Sequence, residues 1–219
     1  MEKARTMKTS KYIDHTLLKP DATSADISRL CEEAIVGDFA SVCVNPCHIA
    51  QAKQLLEGSE VKVCCVIGFP LGAMTTESKV FEASNAIALG ADEVDMVLNI
   101  GWVKEGKTEK VTAEIHAVKE AVGDHILKVI LETCLLNEEE IVTACQCAMK
   151  AGADFVKTST GFSKAGATIE AVKLMRATVG DAMGVKASGG IRTPEDFQAM
   201  IDAGASRIGT SSGAALLKK

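Results

Sequence analysis

Four charged residues interrupt the most apolar runs of the chain: Asp95 in EVDMVLN (93–99), Lys128 in LKVILET (127–133), Lys157 in DFVKTST (154–160) and Lys186 in GVKAS (184–188). Each run is short and rich in Val or Ile, the pattern of a strand. Alternation sends every second side chain to one face. Val94, Met96 and Leu98 then form an apolar face that suits helices, leaving Asp95, Val97 and Asn99 to face the other way. By the same count Lys128 goes with Ile130 and Glu132, Lys157 with Phe155 and Ser159, and Lys186 with Gly184 and Ser188. Three consecutive strands each present an inward lysine, and the strand before them presents an aspartate. Burying such groups costs several kcal/mol unless they are paired, so stability alone does not explain the set, and chemistry can.

The chemistry is that of an amine attacking a carbonyl. Only a neutral amine attacks, and a lysine with a pKa of about 10.4 is neutral about 0.04% of the time at pH 7. A second ammonium about 5 Å away contributes ~3 kcal/mol of repulsion at an effective dielectric of about 20, and desolvation adds to it. Two lysines on adjacent strands can therefore make one of them a nucleophile, with Asp95 holding the other charged and moving protons.

Two glycine-rich segments follow later strands, SGGIRT (188–193) and GTSSGAA (209–215). Glycines let backbone N–H groups approach an anion, and barrels often bind phosphate between their seventh and eighth loops. Metal chemistry is not suggested. The pairs Cys43/Cys47 and Cys145/Cys147 lack a partner pair at zinc-ribbon spacing, and His15, His48, His116 and His125 have no zinc-like spacing. The eight cysteines read as reduced thiols. Cys43 is expected to fill space on the inward face, where its thiol would be open to a reactive enal. His15 is expected near the site.

These residues need a frame. Strand-like runs begin near Tyr12, Phe39, Lys62, Glu93, Leu127, Phe155, Met183 and Arg207, each followed by a polar or glycine-rich turn and a helical segment. Their spacing of roughly 20 to 35 residues suits βα units. ALGADEVDMV (88–97), KAGADFVKTS (150–159) and DAGASRIGTS (202–211) repeat a Gly-Ala pair where a helix should end and a strand begin. Eight such units in 219 residues favour an α/β fold, a (β/α)8 barrel forming a single domain over residues 1–219 with a short N-terminal helical extension. An open doubly wound sheet shares the same periodicity. The polar stretch 101–110 is expected to be a loop leading into a helix.

The formal charge of -5 and the absence of a basic stretch argue against nucleic acid and anionic membrane as partners. Residues 1–11 carry no apolar run of the kind found in leaders or anchors, so a cytoplasmic location is expected.

IDHTLLKP (13–20), SVCVNP (41–46), EVDMVLN, LKVILET, DFVKTSTGF (154–162) and GVKASGGIRT (184–193) together resemble the deoxyribose-phosphate aldolases, class I aldolases that form a Schiff base. The likeness runs from about residue 12 to the C-terminus, and FVKTSTG joined to VKASGGIRT is its specific part. The resemblance implies a barrel that reversibly cleaves 2-deoxy-D-ribose 5-phosphate to acetaldehyde and D-glyceraldehyde 3-phosphate in deoxyribose phosphate catabolism. It implies no metal or organic cofactor, small aldehyde and sugar-phosphate partners, and a homodimer. By motif, Lys157 would form the Schiff base, Lys186 would tune it and Asp95 would transfer protons. Asp14, Cys43 and Lys128 fall at pocket positions, and Gly161, Gly189, Gly190, Arg192, Gly209, Ser211 and Ser212 at the phosphate end. Two features depart from the pattern. Phe162 stands where some members carry a lysine, leaving Arg192 or Lys164 to replace it, and the chain ends in LLKK without the tyrosine of longer members, its one tyrosine being Tyr12.

Two other readings share the barrel. A sugar-phosphate isomerase or epimerase would use carboxylates or histidine rather than paired lysines, and a catalytically silent phosphate-binding barrel would use the lysines only to hold an anion.

Overall fold

The computed structural model describes residues 8–216. Its strands are β1 Ile13–Leu17, β2 Ser41–Val44, β3 Lys62–Ile67, β4 Glu93–Val97, β5 Ile126–Ile130, β6 Phe155–Lys157, β7 Gly184–Ser188 and β8 Arg207–Thr210. All are parallel and close into a barrel in chain order, with β8 pairing back onto β1. Each matches an expected run to within a residue, β1 extending to Leu17 and β5 starting at Ile126, and closure decides between the barrel and the open sheet.

The outer layer is built from α1 Ser24–Gly37, α2 Ile49–Leu55, α3 Thr76–Ala88, α4 Ile100–Lys104, α5 Thr108–Val122, α6 Glu138–Lys150, α7 Ile169–Val179, α8 Pro194–Asp202 and α9 Gly213–Leu216. Threonine or asparagine caps most of the longer helices: Thr23 and Asn137 form capping boxes with Asp26 and Glu140, and Thr75, Thr168 and Thr193 accept from backbone N–H groups. No helix among the described residues is long and apolar enough to cross a membrane.

The Gly-Ala repeat has a defined mechanical role. Gly90, Gly152 and Gly204 take φ of 104°, 80° and 109°, which glycine adopts without steric cost. The alanines after them donate back to Ala86, Ala148 and Met200, closing the Schellman bonds that end α3, α6 and α8. The next residue then locks the helix end to the barrel. Asp92 and Asp154 accept from the N–H groups of Val63 and Leu127, and Ser206 Oγ accepts from that of Val185.

The main core lies between the outer faces of the strands and the helices, where Val94, Met96 and Leu98 are fully buried as expected. One ion pair interrupts it: Lys79 of α3 and Glu114 of α5, both fully buried, meet at 2.9 Å. Lys79 also donates to the Gly72 carbonyl at 2.8 Å, and Glu114 accepts from the Asn99 N–H at 3.0 Å. The pair therefore fastens the loops after β3 and β4 to the helical layer.

Three expectations change in detail. Asn99 does not face the barrel axis; its side chain accepts from the Trp102 N–H as the cap of α4, so 101–110 contains a short helix before α5. His15 points away from the site, because alternation puts it opposite Asp14. Its Nε2 contacts Glu33 of α1 at 2.6 Å and its ring packs edge-on against Phe39. The N-terminal extension contains a 3-10 turn at Thr9–Tyr12, while residues 1–7 of that expectation and 217–219 of LLKK lie outside the described residues.

Candidate active site

The inward lysines and aspartate meet in the barrel interior. Lys157 and Lys186 are register partners on β6 and β7, and Asp95 and Lys128 on β4 and β5. One carboxylate binds all three amines. Asp95 Oδ2 lies 2.8 Å from the Nζ atoms of both Lys157 and Lys186, and Oδ1 lies 3.0 Å from that of Lys128.

Two residues not anticipated from the sequence complete the arrangement. Arg207, on β8, contacts Asp14 at 2.6 Å and Glu93 at 3.2 Å. Lys186 reaches Asp14 at 2.6 Å, and Lys128 contacts Glu93. The result is a closed ring of alternating charge: Arg207, Asp14, Lys186, Asp95, Lys128, Glu93 and back to Arg207. Three cations balance three carboxylates. Lys157 is a fourth cation attached through Asp95 alone, so the neutral form of its amine leaves the cluster with no net charge. Phe155 sits beneath, its ring centroid 5.5 Å from the Arg207 guanidinium and 5.9 Å from Lys128 Nζ.

The electrostatics follow from this ring. Burial pushes the Asp95 carboxyl upward, but Lys128, Lys157 and Lys186 outweigh it and hold it well below the usual carboxylate range. Asp14 is likewise lowered, burial being overcome by Arg207, Lys186 and Lys128. Burial works against a charged Lys186, yet Asp14 and Asp95 prevail and raise it above the ordinary lysine value. That direction favours the ammonium form of Lys186. Repulsion between Lys157 and Lys186 does not act alone, because Asp95 touches both amines and offsets it. Charge balance over the whole ring replaces it.

Above the ring, at the C-terminal ends of the strands, a cavity of about 340 Å³ opens to solvent. Lys157 lines it; Lys128 and Lys186 do not. Its upper wall carries Gly161, Gly189, Gly190, Arg192, Gly209 and Ser211, six of the seven residues expected at the phosphate end. Ser212 stands outside the lining, its N–H held by Thr210 Oγ1. Asp14, Cys43 and Lys128 are fully buried and lie outside the lining as well. Lys19 lines the cavity as Arg192 does, whereas Lys164 lines a different one. Phe162 also lines the wall and packs edge-on against Phe69, their ring centroids 5.3 Å apart.

Close backbone packing shapes this mouth. A Cβ on Gly166 would stand 2.2 Å from the Gly189 carbonyl oxygen, so the loops after β6 and β7 lie backbone against backbone. The Ala167 N–H donates to Ser188 and Gly189 across the same seam. Gly209 has a second use, because a Cβ there would come within 3.1 Å of Lys186 Cε. Glu132, expected beside Lys128, instead follows β5 with φ of 57° and accepts from the Thr160 N–H and hydroxyl, bracing the loop that contains Gly161.

Alternation carried one step further would have found Glu93, two residues before Asp95, and Arg207, two before Gly209. Both begin their strands, where a charge ordinarily reaches solvent. Cys64, whose thiol donates to Asp95 Oδ1 at 3.1 Å, gave no signal beyond its alternation with Val66.

A closed parallel barrel with ionised groups beneath an open C-terminal mouth defines the (β/α)8 class of enzymes. Residues 8–219 match the model of the DeoC/LacD family aldolases. The chain is 63% identical over 211 residues to a deoxyribose-phosphate aldolase of Brevibacillus brevis, covering 96% of each chain. It is 62% identical over 212 residues to one of Streptococcus gordonii, covering 97% of this chain and 96% of the relative. Among solved structures, a putative deoxyribose-phosphate aldolase from Coccidioides immitis superposes with a TM-score of 0.92 at 49% identity, over 93% of this chain and 82% of that one. The tetrameric deoxyribose phosphate aldolase from Aeropyrum pernix gives 0.86 at 36% identity, over 95% and 89%. The chain thus belongs to the DeoC/LacD aldolases and, within them, to the deoxyribose-phosphate aldolases, which are carbon-carbon lyases.

Proposed function

We propose that the chain reversibly cleaves 2-deoxy-D-ribose 5-phosphate to acetaldehyde and D-glyceraldehyde 3-phosphate through a Schiff base on Lys157, as a step of deoxyribose phosphate breakdown. The observation that carries this reading is that Lys157, alone of the three barrel lysines, lines the open cavity, and that its amine is the cation in excess of the neutral ring. The neutral amine adds to the C1 aldehyde of the open-chain sugar, and loss of water from the carbinolamine leaves an iminium. A base removes the C3 hydroxyl proton, the C2–C3 bond breaks, and its electrons pass to the iminium as an enamine. Glyceraldehyde 3-phosphate leaves; the enamine is protonated at C2 and hydrolysed to acetaldehyde.

In this reading Asp95, 2.8 Å from the Lys157 amine, exchanges protons with it, and Lys186, in contact with Asp14, supplies a fixed positive charge on the other side of Asp95. The phosphate would rest on the backbone of Gly189 and Gly190 with Ser211, opposite the charges of Arg192 and Lys19. Borohydride reduction in the presence of acetaldehyde tests the assignment. Mass spectrometry should locate a two-carbon adduct on Lys157, absent in Lys157→Ala, and that variant should lose cleavage. An adduct elsewhere, or full activity in Lys157→Ala, would refute the residue assignment.

A further inference from the structure

The mechanism leaves two inward thiols unused. Cys43 and Cys64 are register partners on β2 and β3, both fully buried, and the Cys64 thiol donates to Asp95 Oδ1 at 3.1 Å. The two Sγ atoms and a carboxylate oxygen of Asp95 lie within 4.8 Å of one another, the one such cluster among the described residues. Ligand atoms around a tetrahedral zinc ion stand about 3.5 to 3.8 Å apart, given Zn–S near 2.3 Å and Zn–O near 2.0 Å. Closing this cluster on an ion therefore needs side-chain shifts on the order of 1 Å, from residues held on rigid strands.

We infer that Cys43, Cys64 and Asp95 form a binding site for a thiophilic divalent ion such as Zn²⁺, and that filling it switches the aldolase off. Charge balance permits it despite three neighbouring ammonium groups. Binding converts two thiols to thiolates and releases two protons to solvent, so the ion adds two positive charges while the protein gains two negative ones. The net charge of the cluster does not change. Thiolates select soft ions, so Mg²⁺ and Ca²⁺ have no means of displacing those protons. A water, or the Lys157 amine after releasing its own proton to solvent, would take the fourth position; the amine lies 2.8 Å from Asp95. An ion on Oδ1, the oxygen that faces Cys64, takes the Asp95 carboxylate from Lys128 and breaks the charge ring around Lys157, which is why binding should inhibit; this part rests on the Schiff-base reading, whereas binding itself does not. Leu18, Val66 and Phe69 pack against the two cysteines from the mouth side, so uptake should be slow.

The test uses the full chain carrying Cys47→Ser and Cys134→Ser, which removes the two cysteines that are not buried. After long equilibration with zinc chloride and removal of excess, one ion should remain per chain, with none after magnesium chloride. Adding Cys43→Ala and Cys64→Ala should abolish retention; no retained ion in the parent, or one retained without both thiols, would overturn the site. Should that variant not fold, cadmium bound to the parent reports the same thing: NMR of the bound cadmium should show two thiolate ligands, and any other number would overturn the assignment. Zinc loading should remove cleavage activity and a chelator should restore it. A zinc-loaded chain that still cleaves at full rate would overturn the link to Asp95 while leaving the Lys157 adduct as an independent test of the Schiff base.

Discussion

Lys157 differs from its neighbours in how many carboxylates it touches. Lys186 contacts Asp14 and Asp95, and Arg207 contacts Asp14 and Glu93, but Lys157 contacts Asp95 alone. Removing a ring cation should transfer that burden to Lys157. In Lys186→Leu, Asp14 and Asp95 lose a partner, and three carboxylates then face Lys128, Arg207 and Lys157. The pH at which imine formation reaches half its maximum should rise, and the rate at neutral pH should fall by about 10² to 10⁴. Single-turnover trapping of the acetaldehyde adduct across pH measures both, and an unchanged profile would count against the coupling. Asp95→Asn should be worse for folding as well, because it leaves Lys128 and Lys186 short of a shared counter-charge; loss of one buried partner costs about 3 to 5 kcal/mol, to be read from urea unfolding.

At the level of elements, the site depends on loops that touch through backbone. Gly166 and Gly189 meet with no room for a side chain, and this contact sets the distance between the loop after β6, which carries Gly161, and the loop after β7, which carries Gly190 and Arg192. Gly166→Ala places a methyl against a carbonyl, which no side-chain rotation can relieve. The resulting shift costs about 1 to 3 kcal/mol and should appear as a roughly 5- to 150-fold rise in KM for the phosphorylated sugar. Lys157, fixed on its strand, should still form the acetaldehyde adduct. A KM that stays at the parent value would mean that this seam does not position the phosphate end. These loops were readable in outline as glycine-rich turns. Their mutual contact was not, because it joins segments more than 20 residues apart.

Over the whole molecule, the barrel concentrates seven ionisable side chains in its interior, six of them buried and Arg207 nearly so, and its stability should depend on pH accordingly. Asp14 and Asp95 have folded-state values below the ordinary aspartate value of about 3.9. The stability they contribute is present above that value and is lost as pH falls below it toward the folded values. Lys128 and Lys186 are raised, so their contribution is complete below about pH 10 and declines only as pH rises through the folded values. Urea midpoints should be nearly level from about pH 6 to 9 and drop below about pH 4. A midpoint that rises on acidification through this range would show that the ring does not hold its carboxylates ionised.

Strand positions, helix caps, the Gly-Ala helix ends and the inward side of Asp95, Lys128, Lys157 and Lys186 were all determined by the sequence locally, because alternation and capping act over a few residues. The family was legible too, from motifs that are contiguous in the chain. What only the tertiary structure decided was how the charges combine. Asp14 and Arg207 stand at opposite ends of the chain and become neighbours only when β8 closes onto β1. Closure also selects Lys157 as the cation outside the ring and brings the thiols of Cys43 and Cys64 up to Asp95. Electrostatic balance is a sum over everything within a few ångströms, and no reading of separate strands contains that sum.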